Sequence, residues 1–140
     1  MLFIMRIWGI LLIASLGCTL PPLVDARPAW QRQLLAADSL DIGWTNAEGT
    51  PPRKVLTGTE LAAVKQFFAT PLRDEPLLCM VHIDASIRVK DGPELLLCFG
   101  CGTVVVDKKE WNRVEKDQMR ALFTQLLGPR PKEPDPDIGY

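Results

Sequence analysis

The sequence predicts an α+β domain: a small antiparallel sheet of three to five strands with two helices packed on it. Three observations point there. Leu61, Val64, Phe67 and Phe68 recur on one helical face, and Met119, Leu122, Phe123, Leu126 and Leu127 give a second, longer apolar stripe. Between these two stretches lie short apolar runs, and Asp91-Gly92 separates two of them as a hairpin turn.

In chain order, Leu40 to Trp44 and Lys54 to Leu56 read as short strands, joined by a Gly/Pro loop over 46–53. Thr57-Gly58-Thr59-Glu60 has the spacing of a capping box, in which a Thr hydroxyl and a Glu carboxylate each meet an orphan amide. The helix that follows is expected to stop at Thr70-Pro71, because the residue before proline avoids helical backbone. Centring the next turn on Asp91-Gly92 sets Ala85 opposite Cys98, Ile87 opposite Leu96 and Val89 opposite Glu94. Period-two alternation then assigns Ile83, Ile87, Val89, Leu96 and Cys98 to the core face. The opposite face receives Asp84, Ser86, Arg88 and Lys90 beside Leu95, Leu97 and Phe99. Residues 40–56 are expected to cover that mixed face; uncovered, it would be a docking surface. Thr103 to Val106 continues the strand or forms a third after a bend at 100–102. Gly128-Pro129 ends the last helix.

The chain has 140 residues, enough for one domain. It divides into a leader over 1–17, a tether over 18–33, a folded part over 34–128 and a Pro-rich tail over 129–140. The tail alternates proline with charge and is expected to stay extended. One of the 16 basic residues, Arg6, lies in the leader, leaving a mature net charge of about −2. No basic patch suggests nucleic acid.

Arg6 precedes the apolar run Ile7 to Ile13, and Ala14-Ser15-Leu16-Gly17 leads into Cys18. This is the layout of an export signal. Met5 is an alternative start that would make it more compact. The stretch from Ile7 to Val24 is interrupted by Pro21-Pro22 and is a poor membrane span, which needs about 20 predominantly apolar residues. Cleavage without lipid is the other alternative. Residues 14–18 resemble a bacterial lipobox, although Ser15 and Leu16 depart from its commonest form. That resemblance implies a lipid on Cys18 (a diacylglyceryl thioether, with palmitate among the usual acyl groups) and a mature chain beginning there. It places the protein outside the cytoplasm, lipid-anchored in the cell membrane or the outer membrane. Thr19 stands where an Asp would favour inner-membrane retention, so the outer membrane is favoured where one exists.

With Cys18 lipidated, Cys79, Cys98 and Cys101 remain as a candidate disulfide or thiol cluster, an odd number in an exported chain. Four readings stay open. Cys79, His82, Cys98 and Cys101 have the spacing of a small zinc site, but an oxidising compartment works against thiolate ligands. A redox CxxC needs its first cysteine at a helix N-terminus, and Cys98 sits among strand residues. A structural disulfide suits the compartment. Buried thiols acting as small hydrophobes complete the set.

The stretch from Cys79 to Cys101, with Ser86-Ile87-Arg88, Asp91-Gly92 and Cys98-Phe99-Gly100-Cys101, resembles a group of uncharacterised bacterial exported proteins with a Cys…CFxC motif. The group implies no reaction, cofactor or partner. His82 is the only histidine, acidic residues are scattered, and no nucleophile motif or phosphate loop is present. The expectation is therefore a non-enzymatic envelope lipoprotein without a cofactor or catalytic residues, with a protein-binding or structural role and a possible envelope protein partner. The alternative is a small zinc-binding domain on Cys79, His82, Cys98 and Cys101.

Overall fold

The structure, a computed structural model, describes residues 25–45, 51–70, 72, 82–112 and 115–132. Cys18 with the leader, Cys79, most of the 46–53 loop, Pro71 and the end of the Pro-rich tail lie outside them. The chain is α+β, with elements in the order α1 (Ala29–Ala36), β1 (Leu40–Trp44), β2 (Arg53–Leu56), α2 (Gly58–Phe67), β3 (Ala85–Val89), β4 (Glu94–Cys98), β5 (Thr103–Val106), β6 (Lys109–Asn112) and α3 (Lys116–Leu127). One antiparallel sheet runs β2-β1-β3-β4-β5-β6. It has six strands under three helices, one strand and one helix more than the sequence predicts.

The extra helix is α1. Its residues 29–33 were assigned to the tether, but Trp30, Gln31 and Leu34 are buried, so the folded part starts earlier than residue 34. Trp30 meets Trp111 edge-on at 6.0 Å. The Gln31 amide donates to the Phe68 carbonyl at 2.6 Å and the Thr70 carbonyl at 2.9 Å, tying α1 to the end of α2. The extra strand is β6. It turns back through Asp107 and Lys108, both at positive φ (50° and 66°), the backbone a two-residue hairpin requires.

The hairpin register also differs from expectation. Gly92 N–H donates to the Val89 carbonyl at 3.0 Å, and Asp91 adopts φ 55°. Three residues thus make the loop, and Ala85 pairs with Leu97 and Ile87 with Leu95. A one-residue slip moves every side chain of a strand to the other face. Leu95, Leu97 and Phe99 therefore join Leu40, Ile42, Ala85 and Ile87 in the core, while Leu96 and Cys98 go to the opposite face. Leu95 and Leu97 are fully buried, so the proposed docking face does not exist. Among the described residues Val55 is the one large hydrophobic left exposed.

The helices close the core as their periodicity predicts. Leu61, Val64 and Phe68 are buried, as are Met119 and Phe123. The capping box does not form. Thr57 occupies the N-cap position without a side-chain capping bond, because Gly58 enters at φ +58°, and Glu60 pairs with Lys54 Nζ at 2.7 Å instead. On the outer face Arg53 lies across Gly43. Its Nε donates to Asp41 at 2.8 Å and its Nη1 to the Ser86 hydroxyl at 2.9 Å, a path that a Cβ at Gly43 would crowd.

Candidate functional site

The strand ends beyond Trp44 and Cys98 meet the last turns of α3 around a cavity of about 550 Å³, within the usual range for small-molecule sites. Trp44 ends β1, and its ring meets Phe99 edge-on at 5.8 Å. Phe99 in turn packs on Phe123 of α3 at 5.7 Å. These contacts follow from the register, because Trp44 and Phe99 lie on the core face at one end of the sheet. Arg120 and Thr124, one turn apart on α3, line the same cavity.

Asp84 is the electrostatic centre of this end. Its backbone N–H donates to the Leu97 carbonyl and its carbonyl accepts from Thr45 N–H, so it extends the pairing of β3 on both sides. The carboxylate is nearly fully buried; Oδ2 accepts the Phe99 N–H at 2.7 Å, and Oδ1 pairs closely with Arg130 Nη1. His82 Nδ1 stands 3.6 Å from the same oxygen, with over half of its side chain exposed. A buried charge is tolerated only when paired and hydrogen-bonded, and Asp84 is both. Arg130 lies in the Pro-rich tail, so residues 129–132 are not a free extension of the domain: that segment supplies the counter-ion.

His82, Cys98 and Cys101 all line this cavity, so the structure brings together three of the four residues in the zinc alternative. The fourth, Cys79, is outside the described residues. Among the described residues no cluster of three metal-ligating side chains forms. Cys98 is a buried free thiol on the outer face of β4, opposite Thr103. Cys101 sits in the turn before β5 and is disulfide-bonded. A disulfide sulfur has no thiolate to give a metal. Neither Cys98 nor Cys101 is at a helix N-terminus, where a thiolate would be stabilised.

Sequence reading did not single out Asp84, Arg130, Trp44 or Arg120. Asp84 was placed on the mixed outer face with Ser86, and Arg130 in a solvated tail. The usable signal was slight: one acidic residue at a strand start and one Arg between two prolines.

A second cavity, of about 570 Å³, lies between α2 and α3 and is lined by Phe67, Leu72 and Leu122 with Gln66, Gln118 and Glu115. Among the described residues that line it there is no basic side chain and no buried unpaired donor. No helix among the described residues is long and apolar enough to cross a membrane. Compared with family models, with curated proteins and with solved structures, the chain matches none.

Proposed function

We propose that this protein is an exported, lipid-anchored envelope protein, held at a membrane through Cys18, whose folded domain has a binding or structural role without catalysis. The carrying observation is the short apolar run after Arg6 that closes on Ala14-Ser15-Leu16-Gly17-Cys18. Two or more acyl chains on one cysteine hold firmly, because each buried methylene contributes about 0.8 kcal/mol. The absence of catalysis is supported by how the polar groups are used. Asp84 is committed to Arg130 and the Phe99 amide, and His82 stands at the rim beside that same carboxylate, with over half of its side chain exposed. An envelope protein partner would meet the charged outer face, where Arg53, Asp41, Arg88 and Glu94 are paired, rather than Leu95, Leu97 and Phe99.

The disulfide follows from the same reading. Cys98 is free and Cys101 is bonded. With Cys18 carrying lipid, Cys79 is the one cysteine left to pair with Cys101. The exported compartment sustains such a bond.

Intact mass spectrometry of the protein from its native membrane tests both statements. The expected species starts at Cys18, carries its acyl groups and is two protons lighter than the reduced chain. Cys18→Ala is expected to abolish lipid incorporation and move the protein to the soluble fraction. An unmodified Cys18, or a Cys18→Ala protein still held in the membrane, would overturn the anchor. A bound zinc on a fully reduced chain would instead favour the Cys79, His82, Cys98 and Cys101 site.

A further inference from the structure

We infer that the cavity between Trp44, Phe99 and α3 is a binding site for a small organic monocarboxylate with a flat apolar body. This goes beyond the anchor and does not depend on it. Four observations converge. Trp44 is 5% exposed, yet its indole Nε1 has no hydrogen-bond partner, and the residue lines the cavity. A buried donor without a partner is uncommon and calls for an acceptor. Arg120 lines the same cavity, is exposed, and forms no ion pair with a described residue. Its fork of parallel N–H groups matches a planar carboxylate.

The charge of the lining selects a monoanion. Asp84, the one carboxylate in the lining, is already paired with Arg130, which leaves Arg120 to meet an anion. A phosphate dianion would bring a second negative charge beside the Asp84 carboxylate. Thr124 adds no donor, since its hydroxyl proton goes to the Arg120 carbonyl at 2.8 Å. The donors offered to a ligand carboxylate include the Arg120 guanidinium and the Trp44 indole N–H. The rest of the wall is aromatic: Trp44 and Phe99, rings 5.8 Å apart and nearly edge-on, suit a flat apolar body.

The test uses the full-length protein in detergent micelles with ¹⁵N-labelled tryptophan. Indole N–H resonances are expected from Trp30, Trp44 and Trp111, with a fourth from Trp8 where the leader is retained, and Trp44→Phe identifies its own resonance by its loss. Titration with phenylacetate should shift that resonance saturably. Phenylacetamide, the neutral isostere, should bind at least tenfold more weakly. Arg120→Gln, a change at an exposed position, should lower phenylacetate affinity about tenfold while leaving the unliganded spectrum otherwise unchanged. Equal affinity for the acid and the amide would overturn the proposal, as would an Arg120→Gln protein that binds normally. So would the lack of any saturable shift at Trp44. Displacement of phenylacetate by millimolar inorganic phosphate would make this a general anion site and sink the monocarboxylate assignment.

Discussion

Asp84 is the residue on which one end of the sheet is organised, and its energetics rest on a partner far along the chain. It is buried, accepts the Phe99 amide and pairs with Arg130, which approaches from beyond α3. Removing the partner of a buried charge leaves that charge uncompensated, which costs more than the pair itself contributes. Arg130→Ala is therefore expected to lower stability by about 2 kcal/mol in urea unfolding, a discounted figure because Arg130 is partly exposed. Asp84→Asn in the same chain should recover part of that loss. Additive destabilisation by the two changes would deny the coupling. Asp25 shows the opposite regime. Its hydrogen bonds from the Arg27 side chain and backbone hold it down to about 2, against an ordinary 3.8, with both groups at the surface. A depressed folded-state value means that this local pairing is complete above the ordinary carboxyl range and is lost as pH falls through about 2. A ¹³C-carboxyl titration should find that midpoint, and Arg27→Ala, which removes the side-chain bonds but keeps the backbone N–H, should raise it part of the way towards 3.8. An unchanged midpoint in Arg27→Ala would remove Arg27 as the cause.

At the scale of elements, what periodicity encodes was legible and what turn geometry encodes was not. The stripes of α2 and α3 predicted their buried faces, since burial of one face is what creates the pattern. The β3–β4 strands were found, but Asp91 at positive φ lengthens the loop by one residue and inverts β4. Aspartate tolerates that conformation well enough to give no clear warning. β6 was missed because Asp107-Lys108 lacks the glycine that usually marks a two-residue turn. α1 was hidden by Pro21, Pro22 and Pro28 and by a stripe too short to count: Trp30 and Leu34, with Gln31 as a buried polar residue. Gln31 makes α1 a working part of the domain. Gln31→Leu would leave the Phe68 and Thr70 carbonyls without their donor and is expected to cost about 1–3 kcal/mol in urea unfolding. A chain starting at residue 34 should unfold at a much lower urea concentration than one starting at residue 25. Equal midpoints would return 29–33 to the tether.

At the scale of the whole molecule, the candidate site was not legible, because its parts lie at four distant places: the end of β1, the start of β3, α3 and the tail. No local pattern links Trp44, Asp84, Arg120 and Arg130; antiparallel closure of the sheet does. The address was legible because a leader is read locally by composition and spacing, before anything folds. Joining the two gives a prediction for the anchored protein. On the proposed anchor, the chain from Cys18 to α1 spans at most about 40 Å when extended, so the domain stays near the bilayer on one short leash. That leash has no lysine or arginine between Cys18 and Arg27, and Arg27 precedes Pro28, a bond trypsin does not cut. The next basic residue, Arg32, lies inside α1, whose helix is pinned by Trp30, Gln31 and Leu34. Trypsin should therefore leave the folded domain on intact outward-facing membranes. Thermolysin, which cuts before residues such as Leu20, Leu23 and Val24, should release it as one soluble fragment. Release by trypsin at Arg32 would mean that α1 is not docked. Retention after thermolysin cleavage between Cys18 and Asp25 would mean that the domain itself binds the membrane, and that Cys18 is not what holds it there.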